Sequence, residues 1–104
     1  MEVELKDTME FMTSKDYKER FIAEYWQLKI RYNKLSALLT KIDASKISDE
    51  VEEPKHDCPY NCLKNQLSVM GEYLYFLEVR AIIENIDLNS IFRCFDCDAN
   101  ANEE

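Results

Sequence analysis

The chain of 104 residues has one glycine, two prolines and one histidine. A single glycine excludes a glycine-rich phosphate loop. One histidine excludes an H-x-x-x-H metal pair, and no two carboxylates share a helix face in a way that suits hydrolysis. With no nucleophile–base constellation either, the expectation is a non-enzyme that needs no cofactor. No run of 18 apolar residues is present, so no membrane-spanning helix is expected. The first residues, Met-Glu-Val-Glu-Leu-Lys-Asp, are acidic and lack the apolar stretch of a secretory signal. Four cysteines without such a signal suit a reducing compartment, and the expected location is cytoplasmic.

What the chain does have is two matched heptad runs. One reads Phe21, Tyr25, Leu28, Tyr32, Leu35, Leu39, Ile42, and the other Leu63, Leu67, Met70, Leu74, Leu77, Ala81. Steps of four and three place each set on one stripe of an α-helix. The fold class expected is all-α: an antiparallel two-helix, coiled-coil-like hairpin with short N-terminal and C-terminal segments, oligomeric. The parts are an arm or short helix at 1–12, a hairpin at 13–85 and a C-terminal segment with an acidic tail at 86–104. Within the hairpin the first long helix spans about 15–42, capped by Thr13 or Ser14, with a polar loop at 43–57. The second spans about 59–85, with Pro59 in its first turn and Gly71 in its middle. One seam between two helices is thin for this length, which argues for a homo-oligomer.

Charge is unevenly spread. The total is −8, yet residues 13–42 sum to +4, so the first long helix is a basic rod in an acidic protein. On its flank lie Arg20, Gln27, Arg31 and Lys34. An antiparallel hairpin turns that flank toward Gln66, Tyr73 and Arg80 of the second helix, with Arg31 near Tyr73 and Arg20 near Arg80. Guanidiniums take phosphate in a fork and aromatic rings stack on bases, so this edge is the candidate ligand-binding row. In the alternative, these groups pair with acidic side chains of the terminal segments.

Ile22, Trp26 and Ile30 point away from the seam, and Val69 and Phe76 make a second apolar stripe on the other helix. These five are the candidate oligomer interface, since an exposed Trp between two Ile marks a covered surface. A second copy covers it, or the N-terminal arm or the 86–95 segment does, and the two can coexist.

Cys58 and Cys62 lie four apart, and Cys94 and Cys97 form a C-x-x-C. The pairs invite a zinc reading. However, helix rise puts the two ends of the second helix about 35 Å apart, and nine extended residues span about 30 Å at most. Free thiols are therefore expected, with no intrachain metal; the alternative, zinc on Cys58, Cys62, Cys94 and Cys97, needs a neighbouring subunit or a shorter helix.

Two segments resemble a family of small helical-hairpin proteins of crAss-like and other tailed phages. One is Glu24-Tyr25 with Leu28, Arg31, Lys34 and Leu35. The other runs from Cys58-Pro59 through Leu63, Gln66-Leu67, Met70, Tyr73-Leu74 and Leu77-Glu78 to Arg80-Ala81 and Glu84. In hairpin pattern that family is similar to phage sponges that blunt CBASS and Thoeris immunity. The resemblance implies a helical homo-oligomer, made in the host bacterial cytoplasm, that sequesters a cyclic nucleotide signal without cleaving it. The alternative function is a non-enzymatic adaptor or inhibitor that binds a host protein through Trp26 or the acidic tail. Duplex nucleic acid is not an expected partner, because the basic stripe is short and the whole chain repels phosphate.

Overall fold

Residues 17–47 lack glycine and proline and are rich in Leu, Lys, Glu and Arg, and they form one unbroken helix. The computed structural model of the chain describes residues 3–92. A 3-10 turn, Leu5–Thr8, leads into the single-turn helix α1, Met9–Met12. Then come two long helices, α2 at Tyr17–Ile47 and α3 at Tyr60–Ile83. No strand occurs among the described residues.

The ends of the helices differ from the expected ones for local reasons. Asp16 is the cap of α2, its carboxylate accepting from the Lys18 N–H, so the helix starts after it. Thr13 instead bonds back to the Met9 carbonyl, and the Ser14 hydroxyl accepts from the Asp16 N–H. At the far end α2 continues to Ile47, because nothing between Asp43 and Ile47 breaks a helix. α3 opens on Pro59, whose carbonyl accepts from Cys62 and Leu63.

The start of α2 meets the end of α3: Tyr17 bonds to Glu84, and Tyr25 donates to Glu78 at 2.8 Å. At the loop end Tyr60 donates to Asp43 at 2.7 Å, with the Lys46 ammonium 3.5 Å from its ring centre. The helices are therefore antiparallel and clasped at both ends. Gly71 faces Tyr32, and a Cβ built there would stand 3.4 Å from the ring. The glycine lets that ring lie against the α3 backbone.

The seam is not uniformly deep. Phe21, Tyr25, Leu39, Ile42, Leu74, Leu77 and Ala81 are buried, while Leu28, Tyr32, Leu35, Leu63, Leu67 and Met70 are half-covered. Two helices alone cannot bury a whole stripe. Closure at the α2 start comes from the terminal segments, since Val3, Phe11, Ile86 and Ile91 join Phe21, Ile22, Ala23 and Tyr25 in one cluster.

A turn after α3 sends the C-terminal segment back over α2. Asn85 takes a left-handed conformation with φ of 57°, the Asn85 N–H reaches the Ile82 carbonyl, and the Ile86 N–H reaches the Ala81 carbonyl. This is a Schellman turn with its C″ residue, Ile86, buried.

Candidate functional site

The expected ligand row is mostly engaged within the chain. Arg20 donates to the Ser14 carbonyl at 2.8 Å. Gln27 turns toward the arm and donates to Thr8 Oγ1 at 3.0 Å. Arg80 pairs with Glu84 at 3.0 Å, bonds to the Tyr17 hydroxyl and lies over the Phe21 ring. The hydrogen bond to Glu84 pushes the Arg80 pKa above its ordinary value. The Tyr73 hydroxyl donates a hydrogen bond to Glu24.

The cross-helix pairs are therefore Tyr17–Arg80 and Glu24–Tyr73, in place of the expected Arg20–Arg80 and Arg31–Tyr73. The physical reason is charge. Glu24 and Arg31 lie seven residues apart on one flank of α2, and a carboxylate acceptor suits a phenol where a second cation beside Arg80 does not. Arg31, Lys34 and Gln66 remain exposed to solvent.

The chain's own terminal segments lie over part of the face of Ile22, Trp26 and Ile30. Ile22 is 4% exposed. The Trp26 indole N–H donates to the Leu88 carbonyl at 2.7 Å, and its ring meets Phe92 edge-on at 5.3 Å between centroids. A terminal segment thus reaches this face, one of the two covers expected for it, while Trp26 and Ile30 stay half-buried. Val69 and Phe76 do stand in solvent.

Where the two terminal segments flank α2 they leave a cavity of about 490 Å³. Val3, Leu5, Trp26, Ile30 and Phe92 form apolar walls, and Glu4, Asn33 and Lys34 supply polar groups. The Glu4 carboxylate is already spent on Lys6, 3.2 Å away, and on capping the first turn. Asn33 therefore offers an amide edge and Lys34 a cation beside an aromatic wall. The volume falls within the range of small-molecule sites, about 300–1,000 Å³. Asn33 was not singled out in the sequence, although it sits seven residues after Trp26 on the same helix face. Val3, Leu5 and Phe92 reach the cavity only through the folding of the terminal segments, which periodicity within a helix does not report.

Cys58 and Cys62 lie together at the start of α3, and the hydrogen bond to Cys62 raises the Cys58 thiol above its ordinary pKa. His56 donates to the Cys58 carbonyl at 2.7 Å. Among the described residues no group of three or more His, Cys, Asp or Glu is arranged to hold a metal ion. Cys94, Cys97 and the acidic tail lie outside the described residues. No helix of the described residues is long and apolar enough to cross a membrane.

A family model described as Sequestin matches residues 15–83, which take in both long helices and their loop. No curated protein and no solved structure matches the chain.

Proposed function

The chain belongs to the Sequestin family, and from that premise we propose that it is a phage anti-defence sponge, one that sequesters a cyclic nucleotide immune signal without cleaving it. The observation that carries this reading is the family match across the whole hairpin, the part of the chain that holds the net-positive helix. The family name denotes holding a molecule, and a basic helix in a protein of net charge −8 favours an anionic one.

The cavity beside Lys34 supports the same reading. A base slides between Trp26 and the apolar arm, the Asn33 amide reads its edge, and Lys34 takes the phosphate. Arg31, one turn from Lys34 on α2, adds a second cation for a ligand that bears two phosphates. Sequestration asks nothing further of the protein. Binding and exclusion from the receptor are sufficient, and no general acid or base is required at the site.

Calorimetry against cyclic di- and trinucleotides and cyclic ADP-ribose isomers tests the proposal. One member of the panel should bind, quench or shift the fluorescence of Trp26, the chain's single tryptophan, and be recovered intact after heat release. A folded protein that stays silent across the panel refutes the reading, and a hydrolysed ligand refutes the sponge.

A further inference from the structure

Two cations of α2 stand unpaired beside an open cavity. Arg31 and Lys34 lie one turn apart, both are solvent-exposed, and neither has an ion pair among the described residues. Of the other arginines described, Arg20 is held by the Ser14 carbonyl and Arg80 by Glu84. Lys34 lines the cavity together with Trp26, Ile30 and Phe92. Glu4, the one carboxylate of that lining, is engaged with Lys6 and with the first turn. The site is thus apolar within and positive at its edge. It suits an occupant with an apolar group to displace water and carboxylates to meet the two cations.

The chain itself carries such an occupant. Phe92 is the last described residue and part of the cavity wall. The sequence continues Arg93-Cys94-Phe95-Asp96-Cys97-Asp98, and from position 93 onward four carboxylate side chains stand against one cation. We infer that residues 95–98 dock on the Trp26 cavity of their own chain, Phe95 against the apolar wall and the Asp96 and Asp98 carboxylates on Lys34 and Arg31. Docking does not depend on the ligand reading. One consequence does: a nucleotide entering the cavity must first displace this segment.

Charge complementarity is the first support, an acidic stretch beside the unpaired cations of a basic helix. Reach is the second. Asp96 and Asp98 lie four and six residues beyond Phe92, about 13 Å and 20 Å of extended chain, and a cavity of 490 Å³ is about 10 Å across. The tether is the third. A linker this short holds the segment at an effective concentration of about millimolar or above. Contacts too weak to retain a free peptide therefore suffice within the chain, and exposed ion pairs are contacts of that kind. The same tether favours the chain's own cavity over that of a neighbour.

Thiol trapping in the full chain reads the contact with no nucleotide present. With Cys58, Cys62 and Cys94 changed to serine, Cys97 remains as the one thiol, between the two aspartates. Asn33→Cys adds a second thiol in the cavity lining, and Asn65→Cys adds one instead at the groove beside Tyr32. Oxidised glutathione closes each pair by thiol–disulfide exchange, two protein thiols being oxidised as the reagent is reduced to two thiols. Closure at position 33 should be at least about 10-fold faster than at position 65, as a bond within one chain.

Proximity along the chain also favours position 33, so the deciding variant is Asp96→Asn with Asp98→Asn. Because both aspartates flank the reacting thiol, the rate at 33 is taken relative to that at 65. That ratio should fall about 5-fold in the neutral variant, and salt at about 0.5 M should lower it likewise. Phe95→Ser should open Trp26 to acrylamide and leave the helical circular dichroism at the parent value. Equal closure at 33 and 65 overturns the inference. So does a ratio that the neutral variant leaves unchanged, a bond that joins two chains, or quenching of Trp26 that Phe95→Ser does not alter. No readout here involves a nucleotide, so failure of docking leaves the sponge reading in place, and a silent nucleotide panel leaves docking in place.

Discussion

Gln27 ties the N-terminal arm to α2, its amide donating to the Thr8 hydroxyl and to the Met12 sulfur. The Thr8 side chain is 0% exposed; its hydroxyl donates to the Leu5 carbonyl at 2.7 Å and accepts from the Gln27 amide at 3.0 Å. An amide on the expected ligand row is thus a latch between two segments. Gln27→Leu keeps the bulk and leaves the Thr8 oxygen short of a donor. The cost should be about 1–3 kcal/mol, read by chemical denaturation. Amide exchange should quicken in residues 5–12 and stay slow in the middle of α3. Pairing Gln27→Leu with Thr8→Val should restore only part of the loss, because the Leu5 carbonyl then loses the Thr8 hydroxyl as its donor.

The hairpin was legible in the sequence because a heptad run is a local signal. Phe21, Tyr25, Leu39 and Ile42 fall on one stripe whatever the rest of the chain does, and they are buried. The flank was legible only as a list of residues. Helical projection puts Arg31 and Glu24 on the same side of α2, but it does not say which of the two Tyr73 meets, and Tyr73 meets Glu24. The cavity was not legible at all. It exists because a left-handed Asn85 reverses the chain and brings Phe92 back to Trp26, across 66 positions of sequence. The notion that a terminal segment covers Trp26 was among the sequence readings, and the Leu88 carbonyl is the group that decides it.

Lys34 is the residue at which the nucleotide reading is most sharply exposed. It is solvent-facing on α2 and lines the cavity. Lys34→Ala should leave the denaturation curve within about 0.5 kcal/mol of the parent, as surface changes do. Affinity for the bound nucleotide should fall about 10-fold, the weight of one charge-assisted phosphate contact of about 1.4 kcal/mol. Lys34→Arg should retain most of the affinity. Asn33→Leu should weaken binding without altering its salt dependence, whereas Lys34→Ala should flatten that dependence. Gln27→Leu serves as the contrast, since its loss is one of stability. If Lys34→Ala binds as tightly as the parent, the ligand sits elsewhere.

Tyr25 predicts how stability responds to alkali. It is buried, and burial, followed by its hydrogen bond to Glu78, raises the phenol pKa well above the ordinary tyrosine value. An unfolded tyrosine ionises near pH 10, while Tyr25 in the fold keeps its proton. Above that pH the unfolded chain binds fewer protons than the native one, so stability must fall as pH rises. Below it, both states are protonated and the contribution is fully present. Guanidinium unfolding from pH 8 to 11.5 should show a level region and then a decline whose Tyr25 share approaches 1.4 kcal/mol per pH unit, about one proton's worth. Tyr25→Phe should lower stability by about 1 kcal/mol at pH 8 through the lost hydrogen bond, and its decline above pH 10 should be shallower than the parent's. Parallel declines in the two proteins would assign the effect to other groups.

Asn85 controls whether the cavity has a wall. Its φ of 57° is one that a residue with a Cβ adopts at a cost, and Asn bears that cost better than most. The Schellman bonds at Asn85 and Ile86 aim the segment through Ile86 and Leu88 to Phe92, which closes over Trp26. Asn85→Gly should hold the turn and be neutral or slightly stabilising, because glycine is the commonest residue at this position. Asn85→Val should destabilise by about 1–2 kcal/mol, since a β-branched residue resists the left-handed region. The second effect should be local. With the turn loosened, the Leu88 carbonyl leaves the indole, and Trp26 emission should shift to the red and become open to acrylamide. Ligand affinity should fall with it, because the aromatic wall is gone, while Asn85→Gly leaves emission and affinity at parent values. A red shift in Asn85→Val without loss of affinity would separate the Trp26 cavity from the ligand and return the search to Arg31 and Gln66.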